Sequence, residues 1–107
     1  MQRAAAHADV FRAIADPTRR AILDRLRTGP VAVNGLAAAF EQSRPAISKH
    51  LKVLRDCAVV AEEKRGRQRL YRLRPDSLRE VAHWIEGYRL FWQSGLDRLK
   101  SYVEDNR

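Results

Sequence analysis

Ten arginine and lysine side chains fall between residues 44 and 74: Arg44, Lys49, Lys52, Arg55, Lys64, Arg65, Arg67, Arg69, Arg72 and Arg74, against three acids, Asp56, Glu62 and Glu63. This stretch therefore carries seven of the chain's eight net positive charges. Cations at this density repel one another unless a polyanion lies across them, so the chemistry to expect is phosphate binding. Arginine adds the capacity to read a guanine edge through two parallel hydrogen bonds. Other chemistries find little support. His7, His50 and His83 fall on separate predicted elements, and there is no Gly-rich phosphate loop, no HExxH and no GxSxG, so the chain reads as a binding protein rather than an enzyme. One cysteine, Cys57, excludes an intrachain disulfide and a multi-cysteine zinc site. It reads as a small buried hydrophobe at a helix end, with a redox switch as the alternative.

The elements that must position these cations follow from apolar spacing. Val10, Phe11, Ile14 and Ala15 predict a first helix over residues 5 to 15. Asp16 and Pro17 suit the cap and first position of a second, which carries Ile22, Leu23 and Leu26 to Gly29-Pro30. Within it Arg19 and Arg20 oppose the helix dipole, so pairing with Asp16 or Asp24 is expected. Leu36, Ala37 and Phe40 define a brief third helix starting at Ala32 or Asn34. Ser43 caps a fourth, with Pro45 tolerated in its first turn and Ile47, Leu51 and Leu54 forming one buried stripe. Val59 and Val60 begin a strand, Arg65-Gly66-Arg67 turns it, and Leu70, Tyr71 and Leu73 return, with Arg69 and Arg72 alternating between them. From Asp76 onward Leu78, Val81, Ile85, Tyr88, Trp92, Leu96, Leu99 and Val103 repeat at steps of three and four. At about 1.5 Å per residue that helix is on the order of 40 Å long, with a kink possible at Gly87 or Gly95.

This order, a short helix, a turn, a second helix and a basic hairpin, is the plan of a winged helix-turn-helix: mainly α with a small β-hairpin. The 107 residues make one domain, with a core over 5–75 and a terminal helix over 76–107. A polyanion-facing surface on this plan predicts double-stranded DNA as the partner. The Ser43 end presents helix N–H groups to a phosphate, Arg44 leads for base readout, Ser48 joins it, and Lys49 is placed for a base or a phosphate. Pro45 shares that outer face. Lys52 and Arg55 lie further along for the backbone, and His50 borders the buried stripe. Arg65, Arg67, Gln68 and Arg69 reach the adjacent minor groove or its phosphates. RNA or a protein partner is the alternative; residues 43 to 69 contain no Phe, Tyr or Trp for base stacking, which counts against RNA. Along the terminal helix the exposed stripe needs cover, and a second copy is the simplest one. Phe11, Leu78, Ile85, Tyr88, Trp92, Leu96, Leu99 and Val103 are its expected contacts. Trp84, Tyr88, Phe91 and Trp92 read as packing rather than a ligand pocket. No run near 18 apolar residues and no signal segment is found, so a cytoplasmic location is expected.

Four stretches, ADPTRRAILDRL (Ala15 to Leu26), Leu36-Ala37, SRPAISKHLKVLRD (Ser43 to Asp56) and EEKRGRQRLYRL (Glu62 to Leu73), resemble the ArsR-type bacterial winged-helix repressors. The resemblance implies a homodimer with terminal helices at the interface, a recognition helix in each major groove, and repression by blocking a promoter, often the protein's own. Inverted-repeat half-sites about one turn apart would follow. Metal sensors of that family carry a Cys-x-Cys box in the third helix, where this chain has Gly35-Leu36-Ala37-Ala38-Ala39. Their last-helix ligands are matched at most by His83 and Glu86, so no metal cofactor is expected. The family's glycine after the recognition helix is Ala58 here, leaving that helix end undefined.

Overall fold

The computed structural model describes residues 10–106. The start of the first predicted helix lies outside them; its end, residues 10–13 (α1), is helical, with Val10 and Ala13 buried. Asp16 then caps α2 (Pro17–Leu26), its Oδ2 accepting the Arg19 N–H at 3.0 Å. Arg19 and Arg20 do not form the expected ion pairs with Asp16 or Asp24. Arg19 donates to the carbonyls of Ala13 (2.8 Å) and Arg12 (3.1 Å), and Arg20 to that of Ile14 (2.9 Å). The last carbonyls of α1 have no partner inside that helix and carry its negative dipole end, so they compete well for a guanidinium.

Between α2 and the next helix lies a strand the sequence did not announce, β1 (Val31–Ala32), and Ala32 also serves as the N-cap of α3 (Val33–Ala39) without a side-chain bond. Asn34 therefore falls inside the helix. Ser43 caps α4 (Arg44–Asp56) as expected, its Oγ accepting the Ala46 N–H at 3.3 Å. The hairpin is β2 (Val60–Arg65) and β3 (Gln68–Leu73), and β1 extends it to a three-stranded antiparallel sheet in the order β1-β3-β2. Val59, expected in the strand, sits just before it and is fully buried. Gly66, at φ +59, is the first of the two turn residues, the position where a hairpin turn of this length asks for glycine.

Both helices of the helix-turn-helix end in the same way. At α4 the Ala58 N–H bonds the Arg55 carbonyl and the Val59 N–H reaches the Leu54 carbonyl, both at 2.9 Å, with Ala58 in the left-handed region at φ 60. At α3 the Glu41 and Gln42 N–H groups bond Ala38 and Ala37, with Glu41 at φ 53. This double bond pattern usually recruits glycine at the left-handed position; here alanine and glutamate hold it against their own preference.

Ile22, Leu23 and Leu26 of α2, Leu36 of α3, Ile47, Leu51 and Leu54 of α4, and Val59 and Val60 form one core. After a 3-10 turn (Pro75–Leu78) the chain enters α5 (Arg79–Asp105), continuous for 27 residues through both glycines rather than divided into two helices. Each glycine costs about 1 kcal/mol in a helix, too little to break one this long. No residue of α5 is buried. The radius of gyration, 18.4 Å against about 13 Å for a compact domain of this length, records its projection from the core.

Candidate nucleic-acid interface

The outer face of α4 is set by its inner one. With Ile47, Leu51 and Leu54 at zero exposure, the helix cannot rotate, and Arg44, Pro45, Ser48, Lys49, Lys52 and Arg55 are all held exposed. The N-terminal end offers less main chain than a bare helix end would. Pro45 has no N–H, that of Ala46 is taken by Ser43, and that of Ile47 bonds the Ser43 carbonyl. The Arg44 N–H is the one first-turn donor left without a partner among the described residues. An anion at this end would therefore meet Arg44 twice, through its main chain and its side chain.

At the wing Arg65, Arg67, Gln68 and Arg69 are exposed around the tight turn. The tip lies near the start of α4: one concavity of about 330 Å³ is lined by Arg44, by Arg67, Gln68 and Arg69, and by residues 32–35. Residues 32–35 had no place in the sequence reading of the site. They enter because β1 ties the start of α3 to β3 through the Val31–Tyr71 and Ala32–Leu70 pairs.

The cations divide by partner. Lys52 Nζ lies 2.9 Å from Asp56 Oδ2, and that hydrogen bond, ahead of other charges, holds the Asp56 carboxyl below its ordinary range. Arg55 donates to Glu62 Oε2, Arg69 lies 3.4 Å from Glu62 Oε1, and Arg65 lies 3.8 Å from Glu63. Arg44, Lys49 and Arg67 have no acidic partner among the described residues. Glu62 is thus a member of the site that the sequence reading overlooked; the alternation of Val60, Glu62 and Lys64 along one strand face was the signal that could have found it. Burial, followed by the Glu62 charge, pushes the neighbouring Tyr71 hydroxyl above its ordinary pKa.

His50 points away from the outer face, its Nδ1 3.9 Å from Asp16 Oδ2, joining α4 to the cap of α2. The Asp16 carboxyl is held low, first by the Arg19 main-chain N–H and then by the charge of His50. Cys57 is 8% exposed. Among the described residues no group of three His, Cys, Asp or Glu side chains is placed to hold a metal, and Glu86 is engaged by Arg89 at 3.0 and 3.1 Å. No described helix is long and apolar enough to cross a membrane.

The expected dimer contacts also separate. Ile85, Tyr88, Trp92, Leu96, Leu99 and Val103 are exposed along α5, together with Leu90, Phe91 and Tyr102. Leu78 departs from them: it lies in the 3-10 turn and packs against the chain's own core. Phe11 is half-buried with its ring edge-on to Trp84 at 5.5 Å, and Trp84 meets Tyr88 at 5.3 Å.

A family described as bacterial regulatory protein, arsR family, matches residues 16–62. The chain is 48% identical over 94 residues to the HTH-type transcriptional regulator Rv2034 of Mycobacterium tuberculosis, covering 88% of this chain and 85% of that protein. It is 38% identical over 77 residues to the transcriptional repressor SdpR of Bacillus subtilis, covering 72% and 86%. Among solved structures, the homodimeric winged helix-turn-helix DNA-binding domain Mb0332 of Mycobacterium bovis aligns with a TM-score of 0.66 at 27% identity, over 79% of this chain and 82% of that one.

Proposed function

The chain belongs to the ArsR family of bacterial transcriptional regulators, and from that premise we propose that it acts as a homodimeric repressor on an inverted-repeat operator, its own promoter included. One observation carries the reading: Arg44, at the start of a helix locked by its buried stripe, and Arg67, at the wing tip, line one concavity, with no acidic partner among the described residues. A duplex laid across that edge meets both. Arg44, Ser48 and Lys49 then face base edges in the major groove while Arg67, Gln68 and Arg65 take phosphates or the narrow groove beside it. Ser43, Pro45 and Lys52 line the approach. Arg55 and Arg69 stand at its margin, already engaged by Glu62.

Dimerisation rests on α5. A helix of 27 residues with no buried side chain, displaying Trp92, Leu96, Leu99 and Val103 in a row, has an apolar surface larger than a monomer ordinarily leaves in water. A second copy covers it by symmetry, with Phe11, Trp84 and Tyr88 beside the seam. Two recognition helices related by that axis read half-sites about 10–11 bp apart. Such a regulator works where its operator is, in the cytoplasm, and buried Cys57 gives no opening for a thiol signal.

The test is a mobility shift on the protein's upstream promoter against unrelated DNA of equal length, at about 150 mM salt, where non-specific contacts weaken. Selective retardation, unchanged by chelator or reductant, is the expected result. Equal retardation of both duplexes would remove the operator reading.

A further inference from the structure

We propose that Glu62 is a positioning residue that tethers the wing to α4, and that by holding Arg55 and Arg69 it lowers general affinity for DNA while raising discrimination between sequences; this rests on the DNA-binding reading above. Strand alternation places Val60, Glu62 and Lys64 on one face of the hairpin with their partners Leu73, Tyr71 and Arg69. Val60 is buried and Leu73 and Tyr71 pack on the core, so Glu62 is the first charged group met going outward along β2. Its side chain is 19% exposed, against 42% for Glu63 on the opposite face. There it meets Arg55, from the last turn of α4, and Arg69, from the neighbouring strand.

A carboxylate accepts only, and its two oxygens serve the two guanidiniums separately, Oε2 to Arg55 and Oε1 to Arg69. Among the described residues the Arg55–Glu62 pair is the one ion pair that joins α4 to the wing. Gly66 lies four steps along the strand from Glu62, a lever of about 13 Å, so a small change of angle at the tether moves Arg67 across several ångströms. The charge and the geometry of Glu62 act in opposite directions. Its charge repels any phosphate backbone regardless of sequence, and it occupies two arginines that would otherwise bind one. Its tether fixes where the tip falls relative to Arg44, which matters only for a duplex whose shape suits that distance.

The experiment compares the full-length protein with Glu62→Gln on a duplex selected by the unaltered protein from a random pool and on unrelated DNA, across a range of salt. In Glu62→Gln, affinity for unrelated DNA rises, the salt slope steepens by about one per guanidinium released, and the ratio of selected to unrelated affinity falls several-fold. Arg55→Gln is measured in both backgrounds as a second reading. Beside Glu62 it leaves the salt slope unchanged and lowers the ratio; in Glu62→Gln it removes about one unit of slope. Proportional loss on both duplexes in Glu62→Gln, or a slope that drops when Arg55 is replaced beside an intact Glu62, overturns the proposal. If the unaltered protein selects no sequence from the pool, the DNA-binding reading fails first and this proposal with it.

Discussion

The face formed by α4 and the wing and the stripe along α5 are both exposed in a single copy, yet they are unfinished in different ways. Exposed guanidiniums are well solvated and cost the lone chain little beyond mutual repulsion, which salt screens. The α5 stripe leaves Trp84, Tyr88, Trp92, Leu96, Leu99 and Val103 about half or more exposed, and water penalises every one of them. A charged surface can wait for its partner, whereas an apolar one of this length requires its partner all the time. The first therefore suits a reversible contact such as an operator, and the second a permanent contact such as a twin subunit.

The sharpest way to break this contrast is Leu96→Glu. Symmetry removes two leucines per dimer, at about 1.5–3 kcal/mol each, so the dimer dissociation constant rises about 100-fold or more in sedimentation and operator affinity falls with it. A dimer unchanged by this substitution would place the seam elsewhere. Next comes Leu51→Ala, which opens a cavity under the reading helix and lowers unfolding stability by about 2–5 kcal/mol in a urea melt, while Lys49→Ala on the opposite face stays within about 0.5 kcal/mol. Arg44→Ala and Arg67→Ala then sharpen the comparison within the cationic face. The former costs about 1–3 kcal/mol of discrimination at one base pair, the latter weakens all duplexes alike and flattens the salt slope by about one. Ala58→Gly relieves a left-handed alanine and raises unfolding stability by about 1 kcal/mol. Smallest is the acid limb: because the Asp16 pKa lies below 3.8 in the folded chain, its contribution is complete above that value and is lost as pH falls through the lowered one. Asp16→Asn should remove that part of the pH dependence of the thermal midpoint.

What could be read in advance was whatever repeats within one element. The Ile47, Leu51 and Leu54 stripe, the Ser43 cap and the basic hairpin follow from neighbours three, four or two residues apart, and the structure places each as expected. What escaped depends on partners brought together by folding. Two residues are too few to show an alternation, so β1 had no signal of its own. Arg19 and Arg20 had nearby carboxylates to suggest themselves, but the chain at the end of α1 offered carbonyls that only the packing of α1 on α2 brings within reach. Arg55 and Glu62 are seven residues apart with a left-handed turn between them, and that turn at Ala58 is what swings the strand back toward the helix. The cationic face was thus legible as a set of charges, and its division into engaged and unengaged members was not.

The bare length of α5 also has a consequence for how much protein a cell must hold. In the homodimer proposed above, a helix with no buried residue in its own chain would draw its stability from mass action, so dilution would loosen α5 and operator occupancy together, and the thermal midpoint would climb with protein concentration. Low copy number would then leave regulator chains short-lived as well as unbound, and output would respond to abundance more as a threshold than as a proportion.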